Sequence, residues 1–189
     1  MRARSFLGLL AASFLALLAG CAGAPAGVEP VRGFAVERYL GQWYEIARLD
    51  HRFERGLEQV TATYALNADG TVSVVNKGFQ PGEAEWSQAE GKARFAGAKD
   101  VAALEVSFFG PFYGAYNVID LDPDYQHALV VGPNRSYLWI LSRSPAPPAA
   151  VVDRLVAKAK SLGFETSELI FVRQCAAGTS GAACEALSR

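Results

Sequence analysis

Histidine, methionine and cysteine are scarce in this chain of 189 residues, which holds two, one and three of them respectively. Few side chains are therefore left for a metal centre or a histidine-based hydrolase. Neither sign of charge dominates, because 18 basic and 19 acidic residues give a formal net charge of -1. A phosphate backbone is recognised by a basic face, and this balance supplies none, so nucleic acid is not an expected partner. After the N-terminal segment no hydrophobic run approaches the ~20 residues that span a bilayer, which disfavours a permanent membrane helix. What is present, 51% hydrophobic, 20% charged and 11% aromatic residues, fits one folded domain.

Arg2 and Arg4 precede an apolar run over 6–18, the pattern of a targeting segment, and residues 1–20 are expected to be a signal peptide. The run ends in Leu18-Ala19-Gly20-Cys21, which resembles the bacterial lipobox, where cleavage leaves the cysteine first and acyl chains join its sulfur and its amine. An ordinary secretory signal cut after Ala19 or Gly20 is the alternative. The resemblance implies that acylated Cys21 is the membrane anchor, each buried methylene contributing ~0.8 kcal/mol. Ala22 in place of aspartate resembles an outer-membrane sorting signal of double-membrane bacteria, with the domain facing the periplasm. Residues 21–33 are small, proline-broken and without period, and read as a lipidated tether reaching ~20 Å.

The body of the chain, 34–174, alternates short β-branched or aromatic runs with turn residues, the pattern of an antiparallel barrel or sandwich. Candidate strands are 43–49, 59–66, 71–79, 85–95, 102–108, 113–121, 127–131 and 137–142. Asn67-Ala68-Asp69-Gly70 and Asp122-Pro123-Asp124 are turn clusters. Pro147 and Pro148 suit the first turn of a helix, Val152, Leu155, Ala159 and Leu162 recur on one face, and Gly163 offers a cap. A ninth strand is expected over 169–173, then a small polar tail over 175–189. Eight strands in series without a long crossover favour an all-β, up-and-down eight-stranded barrel with one C-terminal helix. These patterns alone leave a ligand barrel, a filled barrel and a sandwich open.

Gly41-Gln42-Trp43 within Tyr39-Leu40-Gly41-Gln42-Trp43-Tyr44-Glu45 resembles the signature that opens the first lipocalin strand. Asp124-Tyr125 with Ala128-Leu129-Val130-Val131-Gly132 looks like the family's second motif, and Tyr137-Leu138-Trp139-Ile140-Leu141-Ser142-Arg143 like its third. The resemblance covers 34–174 and is closest to bacterial outer-membrane lipocalins related to apolipoprotein D. Residues 50–57 and Ser107-Phe108-Phe109-Gly110-Pro111-Phe112-Tyr113-Gly114 narrow it. It implies that Gly41, Trp43 and Arg143 form a structural floor, the arginine lying over the indole.

Period two, anchored on Trp43 and guided by the family's strand pairing, points Glu45, Ala47, Ala62, Tyr64, Val74, Asn76, Phe95, Leu104, Val106, Phe108, Tyr116, Val118, Leu129, Val131, Tyr137 and Trp139 inward. Ala47 and Ala62 leave volume among flat aromatic surfaces, which suits an acyl chain. Tyr64, Asn76, Tyr116 and Tyr137 are candidates to orient a headgroup, or to bond to backbone.

His51 and His127 show no zinc-site spacing and are expected at the surface; no metal and no cofactor is expected. Glu45 has no paired inward carboxylate and reads as a buried, hydrogen-bonded floor residue. Cys175 and Cys184 are a candidate disulfide in an exported compartment, and both lie beyond the last strand, which leaves the barrel no cysteine nucleophile. The expected function is a non-enzymatic, lipid-anchored carrier or store of fatty acids or lysophospholipids. A haem or pigment carrier, a lipid-modifying enzyme and a structural envelope lipoprotein with a filled barrel are the rivals. A homodimer is left open.

Overall fold

Tight turns and unbroken strand alternation set the topology. The computed structural model describes residues 23–175. Its elements are α1 (Val36–Tyr39), β1 (Gly41–Arg48), β2 (Glu58–Leu66), β3 (Val72–Gln80), β4 (Glu85–Phe95), β5 (Ala103–Phe109), β6 (Phe112–Leu121), β7 (His127–Val131), β8 (Leu138–Ser142), α2 (Ala149–Ser161) and β9 (Ile170–Phe171). Each strand pairs antiparallel with the next from β2 to β8, β8 pairs with β1, and β1 returns to β2, closing eight strands into a barrel. β9 lies outside the closure, on β1. The β2–β3 turn follows from Gly70, whose φ of 79° is open to glycine, and from Asp69, whose carboxylate accepts from Thr71 N.

β1 and β2 pair only where Gly41–Tyr44 meets Thr61–Tyr64, and then diverge. The last described residues fill the gap. β9 pairs with Ala47 and Arg48, Gln59 N donates to Arg173 O at 2.8 Å, and the Gln174 amide donates to Glu45 O at 2.7 Å and to Val60 O at 2.9 Å. One side-chain amide thus stands in for a ladder rung between two separated strands.

Loops at residues 49–57, 81–84, 110–111 and 132–137 surround one end of the barrel, the mouth. The other end is closed by Phe34, Tyr39 and Tyr125, which pack with Trp43 in the interior cluster. α2 lies on the outer wall. Leu155 and Ala159 are fully buried, in one cluster with Ile46, Ala47, Leu129, Val131, Leu138 and Ile140, and Gly163 at φ 81° ends the helix.

That outer cluster corrects three expected orientations. Ala47, Leu129 and Val131 face the helix, not the interior, while Ala128, Val130 and Leu141 face inward. β7 reads Ala-Leu-Val-Val because both of its faces are buried, so alternation carries no parity there. In β1 the cause is a bulge: Glu45 partners Leu141 and Ala47 partners Ile140, so one extra residue reverses the side on which every later residue falls. Arg48 is turned inside by the same step.

The expected loose tether is also corrected from residue 24 onward. Ala24 and Val28 join the cluster beneath α2, Val31 N donates to Val118 O, Val31 O accepts from Ala102 N, and Arg32 bridges to Val101. The apolar residues of the segment find apolar partners on the barrel wall, and its backbone finds strand-like bonds. Cys21, Cys184 and the signal peptide lie outside the described residues. Cys175 is buried and disulfide-bonded.

Leu129→Ala is expected to cost about 2–5 kcal/mol in chemical denaturation, because the residue is buried between sheet and helix. Ligand affinity of the folded fraction should stay unchanged. A loss of affinity in a folded variant would return Leu129 to the interior.

Candidate ligand-binding barrel

The floor is held by neutral acceptors around one cation. The Arg143 guanidinium carbon lies 4.0 Å from the Trp43 ring centroid. Its Nη1 donates to Gln42 O at 2.7 Å, and its Nη2 to Leu40 O at 2.8 Å and Arg38 O at 3.0 Å. Trp43 Nε1 donates to Tyr39 O at 2.8 Å, fixing the indole against the turn that precedes β1. Gly41 has φ 89°, and a Cβ there would meet Arg143 Nη1 at an ordinary contact distance of 3.4 Å, so it is the backbone conformation that calls for glycine.

Above the floor three tyrosines share a chain. Tyr116 Oη lies 2.8 Å from Tyr39 Oη and 2.9 Å from Tyr64 Oη. Burial pushes all three phenols well above their ordinary range, so they stay neutral and keep their protons. Two bonds among three hydroxyls use two protons, and one O–H remains to donate elsewhere.

Ala62, Tyr64, Val74, Phe95, Leu104, Val106, Phe108, Tyr116, Val118 and Trp139 all belong to the interior cluster with Trp43, as alternation and the family pairing indicated. Asn76 lies on the same side of β3 as Val74 by period two, and its Oδ1 is buried without a partner. Tyr137 stands at the mouth, its ring 6.1 Å from Trp139 and 5.9 Å from His51.

The mouth contains charges that sequence reading placed elsewhere. Arg48, fully buried, donates from Nη1 to Glu45 Oε1 at 2.7 Å and from Nη2 to the carbonyls of Glu54 at 2.7 Å and Leu57 at 3.2 Å. It pins the β1–β2 loop to the barrel wall. His51 is buried, contrary to the surface position expected of it, with Nε2 3.0 Å from Glu54 Oε2, and Trp139 Nε1 donates to that same oxygen at 3.1 Å. Phe53 covers one side of the imidazole and Trp139 meets its edge, which explains the burial. Glu45 is buried and bonded as expected, but to the mouth side rather than the floor. Arg48 escaped notice because only the bulge turns it inward. The one signal available was an arginine inside an otherwise uncharged strand end, Ile46-Ala47-Arg48-Leu49.

Burial first, then the nearby Glu54 charge, raises the Glu45 carboxyl well above its ordinary 4.5, and Arg48 offsets this only in part. For Glu54 burial alone would act upward, but His51 and the Trp139 N–H outweigh it and the carboxyl titrates below its ordinary value. The signs are opposite. A raised acid contributes stability fully present below pH 4.5 and lost as pH climbs to its folded value; a lowered one contributes stability present above 4.5 and lost on acidification. Thermal melts across pH should therefore show an alkaline-side loss that Glu45→Gln flattens, since glutamine keeps an acceptor for Arg48. An unchanged slope in that variant would show that Glu45 is already ionised in the fold.

A lipocalin-like domain model matches residues 34–174. The outer membrane lipoprotein Blc of Escherichia coli strain K12 is 54% identical over 174 residues, 92% of this chain and 98% of that protein. Rat apolipoprotein D is 35% identical over 130 residues, 65% of this chain and 67% of its own. Among solved structures, insecticyanin from the tobacco hornworm Manduca sexta superposes with a TM-score of 0.64 at 24% identity, over 87% of this chain and 93% of the other, which supports the fold. The chain belongs to the lipocalin family, within its outer membrane lipoproteins.

Proposed function

We propose that the barrel carries a single-chain amphiphile, a fatty acid or lysophospholipid, as a store or carrier and without catalytic turnover, on a domain fixed to the outer membrane by acyl chains on Cys21. One observation carries this reading. The inward wall is apolar, yet it holds buried polar atoms with no protein partner, Asn76 Oδ1 at mid-height and Arg48 Nε at the mouth. Buried polar groups are normally paired, so unpaired ones in a tube of apolar side chains match a ligand with a long tail and one polar end. The methylenes lie along Val74, Val106, Phe108 and Trp139, and the head meets the Arg48 end. Burial of apolar area at ~25 cal/mol per Å² supplies the drive before the costs of ordering the ligand are met.

Ala62→Trp tests the tail position, since Ala62 partners Trp43 and Asn76 in the ladder and faces the interior. A fluorescent fatty-acid titration should show weakened binding, with a stability loss of ~1–3 kcal/mol from overpacking. Absence of saturable binding in the wild type below millimolar, about 4 kcal/mol of affinity, would replace the carrier by a structural lipoprotein with a filled barrel.

The anchor has its own test. Cys21→Ser should abolish palmitate labelling and release the domain from membranes. A labelled variant, or an unlabelled parent in a competent bacterium, would overturn the assignment.

A further inference from the structure

The N-terminal segment and the barrel's exposed aromatics converge on one end of the molecule. Arg135, in the 132–137 turn at the mouth, donates from Nη2 to Ala26 O at 2.9 Å and from Nε to Leu162 O at 2.9 Å. Ala26 therefore lies beside the mouth. Five peptide steps separate it from Cys21, and at ~3.3–3.6 Å per residue they span at most about 18 Å. The anchor is thus tied to within that reach of a mouth contact.

The same side carries the apolar surface. Phe109 and Phe112, at the tip of the β5–β6 hairpin, are 72% and 79% exposed, and Phe53 in the β1–β2 loop is 58% exposed. Residues 106–119 contain no charged side chain, so the hairpin that bears the tip has no charge to keep it in water. At the opposite end Leu66 is the one large hydrophobic residue more than a third exposed among the described residues. Cations lie over three of the aromatic rings: Arg52 over Phe53 at 4.8 Å, Lys77 over Trp86 at 4.5 Å, and Arg94, which is also paired with Glu105, over Tyr113 at 4.1 Å. Aromatic rings at the headgroup level with basic groups beside them are the arrangement that suits a phospholipid interface.

We propose that Phe109, Phe112 and Phe53 insert into the headgroup–acyl boundary of the bilayer that holds Cys21, so that the mouth of the barrel opens directly onto the lipid surface. The inference rests on the anchor assignment made above and adds an orientation and a contact surface to it. A bilayer fits this surface better than a second copy of the chain, because the anchor is tethered by a short segment to the end that carries the exposed rings. The hairpin tip is also an economical wedge. Its two phenylalanines are paired across the hairpin end, Phe109 with Phe112, so they present one apolar surface rather than two scattered ones.

The test uses the full, processed protein in phosphatidylethanolamine–phosphatidylglycerol vesicles that contain doxyl-labelled acyl chains. Phe112→Cys and, at the opposite end, Ala68→Cys are each labelled with the environment-sensitive dye NBD, and the mass of the mature protein reports acylation of Cys21 separately. The expected result is a blue shift and strong quenching at residue 112 with neither at residue 68. Equal quenching at both positions, or none at 112 in an acylated protein, overturns the orientation while the anchor stands. A shift at 112 without lipid quenching, accompanied by a 112-to-112 cross-link, assigns the tip to a second copy instead and overturns the proposal. An unacylated protein that still shows quenching at 112 sinks the anchor and keeps the docking surface; an unacylated protein without quenching sinks both. As a second measurement, Phe109→Ser combined with Phe112→Ser should abolish the shift of a dye placed on Phe53→Cys, and a retained shift would remove the hairpin from the contact.

Discussion

One extra residue in β1 governs the upper half of this barrel. Glu45 faces the interior by simple alternation from Trp43; the bulge at Ile46 then places Ile46 and Ala47 together against the helix side and returns Arg48 to the interior two ladder positions later. A regular strand would set Arg48 on the outer wall beneath α2, where a guanidinium has no acceptor and the packing of Leu155 and Ala159 leaves it no room. The irregularity therefore does two jobs at once. It supplies the apolar patch that docks the helix, and it turns a cation to where it can gather the carbonyls of the mouth loop. Removing Glu45 alone would leave the buried Arg48 guanidinium without its side-chain acceptor, and a buried cation is costly to leave unpaired.

The two ends of the barrel are built on different chemistry. At the floor, Arg143 is satisfied by backbone carbonyls and an indole face, none of which changes charge over any ordinary pH. At the mouth, Arg48 and His51 meet the carboxyls of Glu45 and Glu54, whose titration is displaced in opposite directions. The floor is accordingly a fixed reference for the strands, while the loop over the mouth is held by contacts that respond to the medium. This division suits a carrier, whose closed end must not leak and whose open end must admit a ligand.

Much of the fold was legible in the chain because its signals are local. Asn67-Ala68-Asp69-Gly70 announces a hairpin by backbone conformation, and β2 to β5 show alternation because one face meets water. On those strands the inward set, from Ala62 and Tyr64 through Val74 to Val106, was readable. The exceptions share a cause. Leu129 and Val131 sit in a strand covered on both sides, where hydrophobicity no longer distinguishes the faces, and Ala47 follows a bulge that no pattern in β1 declares. His51 looked like a loop residue, and it is one; its burial depends on Phe53 beside it and on Tyr137 and Trp139 from a distant stretch of sequence. The short α1 and the ordered course of residues 24–33 are likewise tertiary effects, since each finds its partners on distant strands.

The seam between β1 and β2 gives the molecule a direction in time. A chain made from its N-terminus onward can form β1 to β8 and the turns between them early. The seam, however, is closed by Phe171, Arg173 and the Gln174 amide, which follow β8 and α2 in the chain. Until they arrive, the carbonyls of Glu45 and Val60 and the amide of Gln59 lack their partners and the wall has a slit. Closure therefore waits until the segment beyond α2 has been made. For a protein destined for the outer membrane, the unfinished barrel is a species that must be kept from pairing with its neighbours during the crossing, and the final five described residues act as the clasp that ends that exposure.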